Sequence, residues 1–190
     1  MNKSLLLAGV GGQGIILVSK ILSEGLMEEG FDVKMSEIHG MSQRGGSVTT
    51  QIRFGEKVYS PIINAGEADV LVAFEKIEAL RYIENLKIGG TLIVNEESIF
   101  PLPVLAGLEE YPDGVIEELK NKVDHVINID ARRVATDIGE AKSSNIVMLG
   151  VAVKALGLEN IDWEEKIKKY LPPKTHEKNI IAFRKGLETL

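Results

Sequence analysis

A strand, a tight glycine loop and a helix in immediate succession constrain this chain more than any other feature. Leu5 to Ala8 form a short apolar run that predicts a buried strand, and the stretch GVGGQG, Gly9 to Gly14, predicts the turn after it. Ile15, Val18, Leu22 and Leu26 then recur at helical spacing, and the helix is expected to run to Glu29. Ile16, Leu17 and Ile21 add apolar residues on its other sides, which implies deep burial. Gly30 is a suitable C-terminal stop. Asp32 to Ile38 read as a second strand and complete a strand–helix–strand unit of about 30 residues. Gly9, Gly11 and Gly14 satisfy G-x-G-x-x-G, and Gly12 is a fourth glycine. Two readings stand. Gly9, Gly11, Gly12, Gln13 and Gly14 form an anion loop at a helix N-terminus, or the glycines only let the helix pack tightly against the sheet.

The next stretch, EIHGMSQRGGSV (37–48), departs from the course of a dinucleotide-binding domain. Such a domain needs an acidic residue at the end of the second strand to hold a ribose, followed by a crossover helix. Glu37 has the right place for the acid, but no helix follows. Val48, Thr50, Ile52 and Phe54 alternate with Thr49, Gln51 and Arg53, which is the period of a half-exposed strand. GEK turns it, and VYSPII (58–63) is expected to return beside it as an edge partner ending near Pro61. Within the loop, Arg44 lies beside Gly45 and Gly46. A guanidinium next to open backbone can hold a carboxylate or phosphate through paired hydrogen bonds. An ordinary salt bridge to Glu37 is the competing reading. Ser42 and Gln43 add polar groups, and His39 lies in the same segment.

Parallel architecture resumes with a strand at 68–74, a helix at 75–86 and a strand at 91–95. Residues 96–122 read as an irregular excursion with a short helix, followed by a strand at 123–130 and a helix at 131–139. From Ser143 the chain reads as helical, broken near LPPKTH. Ser143 or Ser144 is expected to cap the helix through IVMLGVAVKAL, and Asp130 the one before it. The sum is an α/β fold over a single domain, residues 1–190. It is three-layered and Rossmann-like, with a mostly parallel sheet, helices on both faces and an inserted β-hairpin.

Composition removes several function classes. The chain has no cysteine, so it can supply neither a thiol nucleophile nor the thiolates of an iron–sulfur cluster. A net charge of −6 and the absence of an aromatic-studded basic tract argue against nucleic acid and anionic membranes as partners. No apolar stretch approaches the roughly 20 residues of a membrane helix. A cytoplasmic location is therefore expected. His39, His125 and His176 lack metal-ligand spacing. Arg132 and Arg133 read as a solvated helix face, EEKIKKY (164–170) as a mixed-charge one, and Lys174 with His176 as an undecided subunit contact.

The pair GVGGQGIILVSKIL and EIHGMSQRGGSV, joined by NIVMLGVAVKALG (145–157) and NIIAFRKG (179–186), resembles the gamma-type domain of 2-oxoacid:ferredoxin oxidoreductases. The wording HGMSQRGGSV is most similar to the indolepyruvate branch. Glu37, Gly40, Arg44 and Gly45 match the broader pattern E-Y-G-x-E-x-R-G. The resemblance implies oxidative decarboxylation of an aryl pyruvate to an acyl-CoA, with thiamine diphosphate, Mg²⁺, iron–sulfur clusters, coenzyme A and ferredoxin. It also implies that this chain holds none of the redox cofactors. The family's thiamine segment, GDG…N, is absent, and PDG at 112–114 is no substitute. A larger thiamine- and iron–sulfur-bearing subunit is the implied partner, and ferredoxin is reached through the complex. The 37–48 loop would face that partner, the substrate or coenzyme A. The competing functions are a free-standing NAD(P)-binding oxidoreductase or nucleotide module, and a regulatory anion-binding protein.

Overall fold

Alternation along the first strand sets up both faces of the molecule. In β1 (Lys3–Val10), Leu5 and Leu7 point into one apolar cluster and Leu6 and Ala8 into another, as period-two side chains must. The chain is described by a computed structural model over residues 2–39 and 46–189. After β1 come α1 (Ile15–Glu28), β2 (Asp32–His39), β3 (Ser47–Gly55) and β4 (Ala68–Ala73). They are followed by α2 (Lys76–Tyr82), β5 (Leu86–Asn95), α3 (Leu102–Leu105), α4 (Val115–Lys122) and β6 (His125–Ile129). Four helices complete the chain: α5 (Ala131–Asp137), α6 (Ser144–Leu156), α7 (Trp163–Tyr170) and α8 (His176–Leu187).

The six strands form one mixed sheet in the order β2-β3-β1-β4-β5-β6. β1, β4, β5 and β6 are mutually parallel neighbours, while β3 runs antiparallel to both β1 and β2. The α/β architecture expected from the sequence is thus present, and the antiparallel insertion is the β2–β3 hairpin. The expected return strand at 58–63 does not form. Residues 58–63 are irregular, with a bend at Tyr59, and the Ile63 amide donates to Gln51 Oε1 of β3 at 2.7 Å. Pro61 has no N–H for a ladder, and both edges of β3 are already taken by β1 and β2.

One face of the sheet carries α1 and α6, with α7 and α8 packed outside them around the buried Trp163 and Phe183. The other carries α2 and α4 against Leu71, Leu92 and Val94. A fully buried leucine of this kind contributes about 1.5–3 kcal/mol over an exposed one. The two C-terminal sequence stretches meet in the crossing of α6 and α8. A Cβ on Gly150 would lie 2.9 Å from Gly186 Cα, and a Cβ on Gly186 equally close to Gly150 Cα. No Cβ fits between these backbones without moving a helix. Asp130 caps α5, accepting from the Arg133 amide at 2.8 Å. Ser143 occupies the N-cap position of α6, but its buried hydroxyl makes no capping bond and has no partner among the described residues.

Candidate functional site

Several polar groups meet at the C-terminal ends of β1, β4 and β5. There the glycine loop leaves β1 and enters α1. Gly9 is buried: a Cβ at this position would stand 2.7 Å from Gln13 Oε1 and 2.9 Å from Phe74 Cβ. Gly14 takes φ +77 as the N-cap of α1 and lies against Asn145 at the start of α6. Only glycine meets both demands, a left-handed backbone and a helix passing overhead.

Gln13 closes the loop. Its Oε1 accepts from the Val10 amide at 2.8 Å, and its Nε2 donates to the Phe74 carbonyl at 2.7 Å and to Glu97 Oε2 at 2.9 Å. The side chain therefore ties β1 to the ends of β4 and β5. The amides of Gly12, Gly14, Ile15 and Ile16 make no hydrogen bond among the described residues. These are the groups that a helix N-terminus offers to an anion. Between them and α6 lies an open crevice of about 550 Å³, lined by Gly11 to Gly14, Phe74, Asn95, Lys142 and Ser144, among others. Glu97 also faces it, held by Gln13 and by Arg132 Nη1 at 3.2 Å. On the opposite side of the loop a more apolar hollow of about 340 Å³ is lined by Val10, Ile15, Ile16 and Val48.

The two sequence motifs, more than 20 residues apart, are brought together. Val10 stands opposite Ser47 in the β1–β3 ladder, and the Gly11 amide donates to the Gly46 carbonyl at 2.9 Å. Glu37 lies on β2, opposite Thr50, with Ser19 Oγ of α1 at 3.5 Å from its Oε1. The backbone of His39 pairs with Val48. Ser42, Gln43, Arg44 and Gly45 lie outside the described residues.

This arrangement bears on the ribose role of Glu37. In a dinucleotide site the second strand neighbours the first. Here β3 occupies that place and moves the Glu37 strand outward by one further strand spacing, about 4.8 Å. The Gly46 carbonyl also uses one of the loop's amides.

Two buried carboxylates went unread in the sequence. Glu75 caps α2, accepting from the amides of Ile77 (2.7 Å) and Glu78 (3.1 Å). Its other oxygen accepts from the Ile99 amide at 3.2 Å and from the Tyr111 hydroxyl. Burial and then this carboxylate push the Tyr111 phenol far above its ordinary value, so it stays a protonated donor. Glu78 accepts from Ser47 Oγ and from Arg81 Nε at 3.1 Å, which fixes the first residue of β3. The spacing Glu75-x-x-Glu78 ahead of an apolar helix was the available signal, a variant of the capping box. Asn145, which reaches Gly14, was legible only as the first residue of the NIVMLGVAVKALG stretch.

The residues do not suit the redox groups of the resembled family. The sequence has no thiolate to hold a cluster, and no three His, Asp or Glu side chains converge as a metal site among the described residues. Gly114 of the PDG stretch simply starts α4. No helix among the described residues is long and apolar enough to cross a membrane.

A helix-start crevice beside an antiparallel insertion marks a departure from nicotinamide-binding folds, and comparison with known proteins supplies the family. Residues 4–189 match the pyruvate ferredoxin/flavodoxin oxidoreductase family, and the chain belongs to it. It is similar to the indolepyruvate oxidoreductase subunit IorB of Thermococcus kodakarensis, with 38% identity over 97% of this chain and 94% of the relative. Two solved structures share the fold. Pyruvate oxidoreductase subunit PORC of Thermotoga maritima superposes with a TM-score of 0.74 at 24% identity, over 98% of this chain and 96% of that one. A 2-oxoglutarate:ferredoxin oxidoreductase of Magnetococcus marinus superposes with a TM-score of 0.74 at 20% identity, over 99% of this chain but 31% of that longer one. The resemblance read from the two glycine-bearing motifs is confirmed.

Proposed function

We propose that residues 1–190 are the small subunit of a 2-oxoacid:ferredoxin oxidoreductase that decarboxylates indolepyruvate or a similar aryl pyruvate to an acyl-CoA. Thiamine diphosphate and iron–sulfur clusters on a larger subunit would supply the decarboxylation chemistry and the electron path to ferredoxin. This chain's residues bind and orient. The observation that carries the reading is the insertion of β3 beside the glycine loop, with Gly11 donating to Gly46 at 2.9 Å. It takes the place beside β1 that a ribose-holding strand would occupy. The similarity to an indolepyruvate oxidoreductase subunit supports the substrate class.

In this reading the α1 amides and Lys142 receive an anionic group of substrate or coenzyme A. Lys142 brings the formal charge and the helix start brings aligned donors. Arg44 meets a carboxylate, a phosphate or the partner chain from the neighbouring loop. In the reconstituted complex, Arg44→Ala should leave the fold intact and raise the apparent KM for an acidic ligand, or weaken assembly, by roughly 10- to 100-fold. That is the scale of one lost charge-assisted hydrogen bond. Unchanged kinetics and assembly would remove Arg44 from the site.

A further inference from the structure

Between β5 and α4 the chain exposes more apolar surface than its neighbours can cover. Leu102, Leu105 and Leu108 are 78%, 68% and 79% exposed, and Phe100 is half exposed. Scattered exposed leucines are ordinary, but a contiguous run of them is characteristic of an interaction surface. This run is not loosely hung. One buried carboxylate, Glu75, binds both of its ends: the Ile99 amide at 3.2 Å on one side and the Tyr111 hydroxyl on the other. The rings of Phe100 and Tyr111 pack with centroids 5.0 Å apart, and the Leu108 amide donates to the Pro103 carbonyl at 2.9 Å. A segment ordered in this way offers its side chains without the entropy cost of folding on contact.

Its charge is equally one-sided. Residues 96–118 contain seven carboxylates and no lysine, arginine or histidine, against a net charge of −6 for the whole chain. Glu109 and Glu110 follow directly after Leu108 and are exposed. The segment is also continuous with the glycine-loop end, because Ile99 lines the same crevice as Gly11 to Gly14.

We propose that Phe100 to Leu108 is a docking element that seats in an apolar groove, rimmed by lysine or arginine, on the larger subunit of the complex. The leucines anchor the contact, and the carboxylates set its orientation and encounter rate. The acidic rim disfavours a second copy of this chain as the occupant, since two such rims repel. The proposal rests on the small-subunit reading above but not on the substrate or on Arg44.

The test uses the two subunits co-expressed and purified together, with Leu105→benzoylphenylalanine as a photoreactive probe. The expected product on illumination is an adduct between this chain and the larger subunit. An adduct with a second copy, or none with the larger subunit, overturns the proposal. Leu105→Glu with Leu108→Glu should weaken association of the subunits by at least about 100-fold, the loss of a buried anchor pair. If that variant does not fold, Glu109→Lys with Glu110→Lys carries the argument. It should slow association about tenfold at low salt, with the difference shrinking as salt rises. Wild-type association and salt dependence in that variant would exclude a basic rim. A complex that gives the adduct but does not turn over aryl pyruvates would sink the substrate reading alone. An active complex without the adduct would sink the docking element alone.

Discussion

Glycine does two opposite jobs in this chain, one at the α6–α8 crossing and one in the loop after β1. At the crossing, Gly150 and Gly186 bring two backbones into contact, and an added Cβ on either has no room. At the loop, an added Cβ on Gly12 meets nothing within 4 Å, and its φ of +106 alone demands glycine. The crossing makes a dense, closed back to the molecule. The loop keeps helix amides open to a crevice. The candidate crevice sits where the packing is relaxed, and the crossing behind holds α6, with Asn145 in its first turn and Lys142 just ahead of it.

Substitutions should separate the two regions by size of effect. Gly150→Val should be the most damaging, costing about 3 kcal/mol or more because backbone, not a flexible side chain, must yield. A urea melt that moves by less than the equivalent of about 1 kcal/mol would break the contrast. Gln13→Ala should come next, at about 2–3 kcal/mol, since it leaves the Val10 amide without its partner and unties β4 from the loop. Gly12→Ala should cost about 1–2 kcal/mol, a conformational penalty without a clash, and should leave subunit assembly intact.

The smallest effect is expected in the pH profile at the α1–α7 contact. Lys169 and Tyr170 hydrogen-bond the Glu24 carboxylate and hold it below its ordinary 4.5. Its contribution is complete above about pH 4.5 and fades as pH falls through the lowered value. Glu24 in turn pushes the Tyr170 phenol up to about 12. An unfolded tyrosine ionises near 10 while the folded one stays protonated, so stability should decline between pH 10 and about 12. Urea midpoints across pH for the wild type and Tyr170→Phe test this. The variant should lose the Tyr170 share of the alkaline decline and part of the acid one, while Tyr111, Lys166 and Lys169 keep their alkaline shares.

Much of the fold was legible because burial repeats with the period of each element. β1, β4 and α1 carry that signal in Leu5 to Ala8, in ADVLVAF and in Ile15 to Leu26. The pairing of β3 was not legible. Thr49, Gln51 and Arg53 look like a solvent face, yet Gln51 receives the Ile63 amide and Arg53 pairs with Glu67. Their polar partners lie in a covering loop, and local alternation does not distinguish a loop from water. The glycine loop was legible as a turn, and the structure adds that Gln13 spends its side chain on internal bonds. Glu75 was missed because a carboxylate ahead of a helix reads as surface. Only the fold shows Ile99 and Tyr111 converging on it.

The central claim is that this chain binds and docks while a partner holds the redox chemistry. Its most direct test is co-purification with a cysteine-rich, thiamine-binding chain, followed by indolepyruvate- and coenzyme A-dependent dye reduction. NAD(P) titration calorimetry on this chain alone is run beside it. The account predicts turnover by the pair, none by the isolated chain and no nicotinamide binding. Turnover by this chain unaided, or tight NAD(P) binding at the glycine loop, would contradict it.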